Sequence, residues 1–189
     1  MTTIVVVRKG DTAVIAADTL TTFGTTRLAP IYDRHPQKIT KYGDSYIGVA
    51  GSAAHQLVLE NVLERTPNLD FRGKGAIYES FRCLHPVLKD EAFLNPKEEE
   101  DDPYESSQMT VMVANPTGIY AVYSMREVFE FNRFWAIGSG RDFALGAMFT
   151  VFDKSKSAVA VAQAGIAAGA EFDTGTSAPV TLYEVRLEG

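Results

Sequence analysis

The chain opens on TTIVVVRKG and DTAVIAADT, two segments rich in Val, Ile and Thr that are separated only by a turn at Lys9-Gly10-Asp11. β-Branched side chains suit a pleated, partly buried surface, and a tight glycine-containing turn between two such runs makes a hairpin. The chain therefore begins inside a sheet, with alternating strands, and residue 2 sits at the head of a strand.

The pattern downstream sorts into blocks. A Thr-rich stretch reads as irregular, and KITKYGDSYIGVAG after Pro36 reads as two short strands around Gly43-Asp44. SAAHQLVLENVLER has apolar residues at helical spacing, with Ser52 as the N-cap and Thr66-Pro67 as the stop. A second helix is expected from about residue 73 to 94, distorted at Pro86. Residues 109–140 supply further strands, helices follow at about 142–152 and 157–171, and a last strand covers 180–187. Runs of strands set apart from runs of helices indicate an α+β layered domain, and two stacked antiparallel sheets between helix pairs would bury every apolar face. With 189 residues, 46% of them hydrophobic, one domain spanning 1–189 is expected.

Composition removes several function classes. No apolar run approaches the roughly 20 residues of a membrane span, and TTIVVVRKGD turns polar too early for a signal peptide, so a cytoplasmic location is expected. The net charge of −6 argues against nucleic acid as a partner. Seven acids and one lysine fall within residues 91–105, and about 91–107 reads as an acidic loop insertion, either merely solvated or screening substrates by charge. Cys83, the lone cysteine, has the surroundings of a packed core thiol. His35, His55 and His85 lack the spacing of metal ligands.

Position 2 is where chemistry enters. A small residue after the initiator allows Met1 to be removed, which leaves Thr2 with a free α-amine beside its own hydroxyl. A threonine hydroxyl needs a base, and an α-amine titrating near ~8 can serve. In order after Thr2-Thr3-Ile4-Val5 come AxD ending at Asp18, a lysine on the third strand, GVAGSAA at 48–54 and IGSG at 137–140. In that order these residues resemble the proteasome family, and the HslV type within it. IGSG is not a dinucleotide loop, because G-x-G-x-x-G would need glycine where Phe143 stands.

The resemblance implies a four-layer αββα sandwich of the N-terminal-nucleophile hydrolase type, and a threonine endopeptidase in two stacked rings of six or seven identical copies. Thr2 would be the nucleophile, Lys38 (with Lys41 as the competing position) the lysine beside it, Asp18 the carboxylate orienting that lysine, and Ser139 the partner of the Thr2 amine. Gly51 would supply the oxyanion-hole N–H, main-chain groups of Thr22 and Ala53 would pair with an extended peptide, and Val49 would floor an apolar pocket. His55 stands where the family more often has Asp. Near the last helix many members carry an Asp where this chain has Ala170, with Glu171 and Asp173 close by. No cofactor is required, although related peptidases hold a cation through backbone carbonyls, here Gly169, Phe172 and Gly175, as a structural Na+ or Mg2+. An AAA+ unfoldase partner is compatible with this picture. A small-molecule amidase with the same nucleophile, and a ring-forming subunit of weak activity, are the alternatives.

Overall fold

In the computed structural model, which describes residues 1–97 and 99–188, β1 (Thr3–Lys9) and β2 (Thr12–Asp18) form the expected hairpin. They lie at the centre of a four-stranded antiparallel sheet, between β10 (Phe134–Gly138) and β11 (Val180–Arg186), in the order β10-β1-β2-β11. A second sheet follows chain order through β5 (Ile39–Tyr42), β6 (Ser45–Ala50), β7 (Thr110–Asn115), β8 (Gly118–Val122) and β9 (Val128–Glu130). Helices α1 (Ala53–Arg65) and α2 (Lys74–Asp90) follow β6, and α3 (Arg141–Phe152) and α4 (Ala158–Phe172) follow β10.

Three apolar layers hold these elements together. Ile4, Val6, Ile15 and Ala17 of the first sheet meet Ile39, Met112, Ile119 and Ala121 of the second. The opposite face of the first sheet, Val5, Val7, Val14 and Ala16, packs on Met148, Val161, Ala162 and Ile166 of α3 and α4. The outer face of the second sheet, Ile47, Val111, Val113 and Tyr120, packs on Leu59, Phe81, Leu84 and Leu88 of α1 and α2. Helices, sheet, sheet, helices is the αββα order. It also accounts for the opening sequence: Ile4 to Val7 are all fully buried, so a strand covered on both faces is an unbroken apolar run rather than an alternating one.

Three local expectations change. The Thr-rich stretch is not wholly irregular, because Gly24, at φ +60°, turns β3 (Thr21–Phe23) back on β4 (Thr26–Leu28). Lys38 consequently precedes the fifth strand, not the third. Pro86 leaves α2 unbroken from Lys74 to Asp90; it is exposed, as is Arg82 one turn earlier, whose carbonyl it leaves without a helical donor. Cys83 is exposed and not in the core, because the buried stripe of α2 runs through Ile77, Phe81, Leu84 and Leu88 and position 83 falls on the other side. The segment between α2 and β7 contains no helix or strand among its described residues, and Glu98, within the acidic run, lies outside those residues.

Candidate active site

The head of β1 is flanked by the ends of its neighbours. Thr3 pairs with Gly138 at the end of β10, and Ile4 pairs with Ala17, one residue before the end of β2. Three chain segments thus deliver Thr2, Ser139 and Asp18 to one end of one sheet. The approach is close enough to dictate glycine: Gly138 has φ +91°, and a Cβ there would lie 2.0 Å from the Thr2 carbonyl oxygen. A Cβ on Gly140 would lie 2.2 Å from Thr3 Oγ1.

Asp18 is fully buried and completely engaged. Its Oδ1 accepts from Thr3 N–H at 2.9 Å, its Oδ2 accepts from Leu20 N–H at 3.0 Å, and Lys38 Nζ donates to both oxygens at 2.9 and 3.0 Å. Lys38 Nζ also donates to Leu20 O at 2.5 Å and to Met1 O at 3.3 Å. Burial lowers the Lys38 ammonium from its ordinary value, while the charge and hydrogen bonds of Asp18 oppose that shift. Lys41 is exposed and lies over the Tyr46 ring, so the geometry brings Lys38, not Lys41, to residue 2.

On the other flank, Thr2 N–H donates to Ser139 Oγ at 3.2 Å, and Ser139 Oγ donates to Asp173 Oδ2 at 2.7 Å. Thr176 Oγ1 donates to the same carboxylate oxygen at 2.6 Å. A hydroxyl has one proton, so in the 2.6 Å Thr3–Thr176 contact Thr3 is the donor. Burial alone would raise the Asp173 carboxyl, but the Thr176 and Ser139 hydroxyls and the Gly175 N–H outweigh it and hold it below its ordinary range. Asp173, rather than residue 170, therefore carries the carboxylate that reaches Ser139 and Thr176. It lies just beyond the last turn of α4 as its C-cap, with its N–H bonded to Gly169 O at 2.8 Å. Thr176 was not anticipated. The Asp-x-x-Thr spacing of a capping turn directly after a helix was the available signal.

Among the described residues, Gly51, Thr22, Ala53 and Val49 make no hydrogen bond into this network, whereas Gly169 and Gly175 meet it through Asp173. Gly51 occupies the exposed turn between β6 and α1, where a Cβ would lie 2.6 Å from His55 Nδ1. That same Nδ1 accepts from Ser52 N–H at 3.1 Å, so His55 closes the capping box of α1 as an acidic side chain would. Thr22 is partly exposed on β3, and Ala53 is exposed at the start of α1. Val49 is half-buried and lies with Lys38, Ile47, Leu59 and Leu63 around a closed gap too small for a water molecule, so the expected substrate pocket is not open there. Of the three carbonyls considered for a cation, that of Gly169 already accepts the Asp173 N–H. Among the described residues no group of His, Cys, Asp and Glu is arranged to hold a metal, and no helix is long and apolar enough to cross a membrane.

Two face-packed sheets between helix pairs, with a threonine at the head of the central strand flanked by the buried Asp18–Lys38 pair on one side and by Ser139 on the other, make this an N-terminal-nucleophile hydrolase fold. No protein-family model matches the sequence. Among solved structures, the chain is 35% identical to Thiobacillus denitrificans BPH, a bacterial proteasome homologue, in complex with epoxomicin. That alignment covers 99% of this chain and 100% of the other at a TM-score of 0.92. A structure of the same protein without mention of a ligand matches at 36% identity over 98% of both chains, again with a TM-score of 0.92. Eukaryotic HslV from Trypanosoma brucei shares the fold, with a TM-score of 0.71 at 22% identity over 97% of this chain and 99% of that one. The chain belongs to the HslV-like proteasome family and is a proteasome-type subunit.

Proposed function

We propose that this subunit is a threonine-type endopeptidase whose nucleophile is Thr2 after removal of Met1. The observation that carries the reading is the convergence on residue 2 of two polar systems, Asp18–Lys38 from one side and Ser139–Asp173–Thr176 from the other. With Met1 attached, the Thr2 nitrogen is an amide and cannot act as a base; Thr2 Oγ1 donates to Met1 O at 2.6 Å. Hydrolysis of the Met1–Thr2 bond turns that nitrogen into an amine within reach of Ser139.

The amine then takes the Thr2 hydroxyl proton while Oγ1 attacks the substrate carbonyl carbon. The tetrahedral intermediate collapses as its C–N bond breaks, the leaving amine takes the proton, and an ester remains on Thr2. Water hydrolyses the ester by the same proton route. Lys38, a few ångströms away, disfavours a second positive charge on the amine and so keeps it a base. The Gly51 N–H is assigned to the oxyanion, and the main chain of Thr22 and Ala53 to an extended peptide. The active complex is assigned two stacked rings of six or seven copies in the cytoplasm, fed by an AAA+ unfoldase where folded proteins are the substrate. A structural Na+ or Mg2+ would use the carbonyls of Phe172 and Gly175, with Gly169 limited to its second lone pair.

The test combines intact mass with an epoxyketone probe, the inhibitor class seen with the Thiobacillus relative. The expected result is protein lighter by one methionine that gains one probe mass on Thr2. Protein lacking Met1 that forms no adduct and cleaves no peptide overturns the reading.

A further inference from the structure

The turn that carries Gly51 is gripped by a side chain from the helix it leads into. Ile39 pairs with Gly48, so the end of β6 runs past Lys38, and the turn after it opens at the same end of the fold as Thr2. Gln56, in the first turn of α1, donates to Gln37 O at 2.6 Å and holds the start of the helix there. Within the turn, His55 Nδ1 accepts from Ser52 N–H at 3.1 Å and stands 2.6 Å from where a Cβ on Gly51 would be. The Gln108 carbonyl oxygen borders the same point at 3.4 Å. Among the described residues, the Gly51 N–H itself donates to no other group.

This grip depends on a proton. A neutral imidazole accepts at one nitrogen and donates at the other, so the bond accepted at Nδ1 puts the ring proton on Nε2. A proton added at Nδ1 turns a donor toward the Ser52 N–H, and the ring must leave. The capping box of α1 then loses one of its two bonds, and the peptide between Gly51 and Ser52 loses its anchor. An aspartate here, as in much of the family, would keep its acceptor down to about pH 4, whereas His55 gives its acceptor up below about pH 6.5. Charged groups on the surrounding elements are committed elsewhere: Lys38 ahead of β5 to Asp18, Glu60 on α1 to Thr40 and Gln56, and Glu105 before β7 to Lys89. Lys97 lies 3.9 Å from Glu100. Among the described residues none of them bonds to the ring, and burial favours its neutral form.

We propose that His55 is a positioning residue that aims the Gly51 N–H at the substrate oxyanion only while its ring is neutral, so that acid disarms the site reversibly. This role rests on the peptidase reading above, in which Gly51 supplies the oxyanion donor. Negative charge on the substrate carbonyl oxygen develops only in the transition state, so a misdirected donor lowers kcat and leaves KM nearly unchanged. The Thr2 amine also loses activity in acid, because only its unprotonated form is a base, and the two losses multiply.

The experiment follows kcat and KM of the assembled, Met1-free protein for one neutral peptide between pH 5 and 8, each variant scaled to its own value at pH 8. In the wild type log kcat is expected to fall toward acid with a slope approaching about two, one proton for the amine and one for His55. His55→Asn offers an amide oxygen to Ser52 N–H at every pH, so its slope stays near one, and on this scale the wild type lies about tenfold lower at pH 5. His55→Ala has no acceptor at any pH and is expected to lose about tenfold in kcat at pH 8, again with a slope near one. If His55 only caps α1, acid lowers the melting temperature of the wild type while the scaled profiles of wild type and His55→Asn coincide, which overturns the proposal. An extra acid loss that falls on KM, or turnover that does not return when the protein is brought back from pH 5 to pH 8, overturns it as well. Coincident profiles with an epoxyketone adduct on Thr2 remove this role alone. Should no form cleave peptide or gain an adduct, the peptidase reading itself fails and the role with it.

Discussion

Two lysine–carboxylate pairs in this chain have the same chemistry and opposite surroundings. Lys38–Asp18 closes at 2.9 Å with side chains 8% and 0% exposed, whereas Lys89–Glu105 closes at 2.5 Å with side chains 41% and 47% exposed. The shorter pair is the weaker one. Exposed ions lose little water on pairing, gain a screened attraction, and must restrain two mobile side chains. Asp18, by contrast, has given up its hydration and is held by two backbone N–H groups as well as by the ammonium, so its position is fixed to the precision of the sheet that carries it. The first arrangement can aim a group at Thr2; the second can only tether the segment before β7 to α2.

The largest expected effect follows from removing one half of the buried pair. Asp18→Ala strands the Lys38 charge and two buried N–H groups, and is expected to lower stability by about 3–5 kcal/mol in urea unfolding. Lys38→Met removes the cation but leaves Asp18 its two amide donors, so it loses less stability while abolishing turnover. A loss below about 1 kcal/mol for Asp18→Ala would put the buried pair in the same class as surface pairs and break the comparison.

Next in size is Asp173→Ala. The Ser139 hydroxyl loses its acceptor, and turnover is expected to fall about 10- to 100-fold through kcat with KM little changed, Asp173→Asn recovering part of the loss. Because the folded-state carboxyl is held below its ordinary 3.8, its share of stability is present above about that pH and is lost as pH falls through the lowered value. An equal loss in kcat and in KM-limited binding would make Asp173 a structural cap alone.

What the sequence makes legible follows the same division. The strands are readable from their composition, and Thr2, Asp18 and Ser139 from the resemblance to the proteasome family, whose motifs fall at strand ends and glycine turns. Lys38 is separable from Lys41 only by burial, which two lysines three residues apart do not announce. Asp173 is hidden for a different reason: the family resemblance points to position 170, while the acid lies past the last turn of α4, where direction is set by a cap and no longer by period. The β3–β4 hairpin escapes because three-residue strands carry no periodicity, and Cys83 because one residue on an amphipathic helix changes face with a rotation of about 100°. Glu60 is legible as a helix residue and no more. Its approach to Thr40 joins α1 to the start of β5, a contact twenty positions apart.

A smaller effect is expected at His55. Burial holds its ring below the ordinary 6.5, so the folded state favours the neutral form that accepts the Ser52 N–H. The sign follows from linkage: this contribution is complete above about pH 6.5 and is lost as pH falls through the lowered value, when Nδ1 gains a proton and can no longer accept. His55→Asn keeps an acceptor and should remove the pH dependence, whereas His55→Ala costs about 0.5–1 kcal/mol at every pH, read from thermal unfolding between pH 5 and 8. Stability of the wild type that rises on acidification over this window would contradict the assignment.

The smallest effect should come from the surface pair, and it is the sharper test of the comparison because a null result is demanded. Glu105→Gln deletes the charge that Lys89 and His85 share but leaves an amide oxygen that can still accept from either. His85 is buried, its Nδ1 has no partner among the described residues, and its Nε2 meets a Glu105 oxygen at 3.1 Å, a contact that an amide oxygen at position 105 can also accept. Arg126 reaches the Glu105 backbone carbonyl at 2.7 Å, a contact the substitution does not touch. The melting temperature is therefore expected to match the wild type, at low and at high salt alike, and peptide turnover to stay the same. A drop that grows as salt is removed would mean that the charge itself fastens this segment, and that exposure and pair distance together, rather than burial, decide which ion pairs this fold relies on.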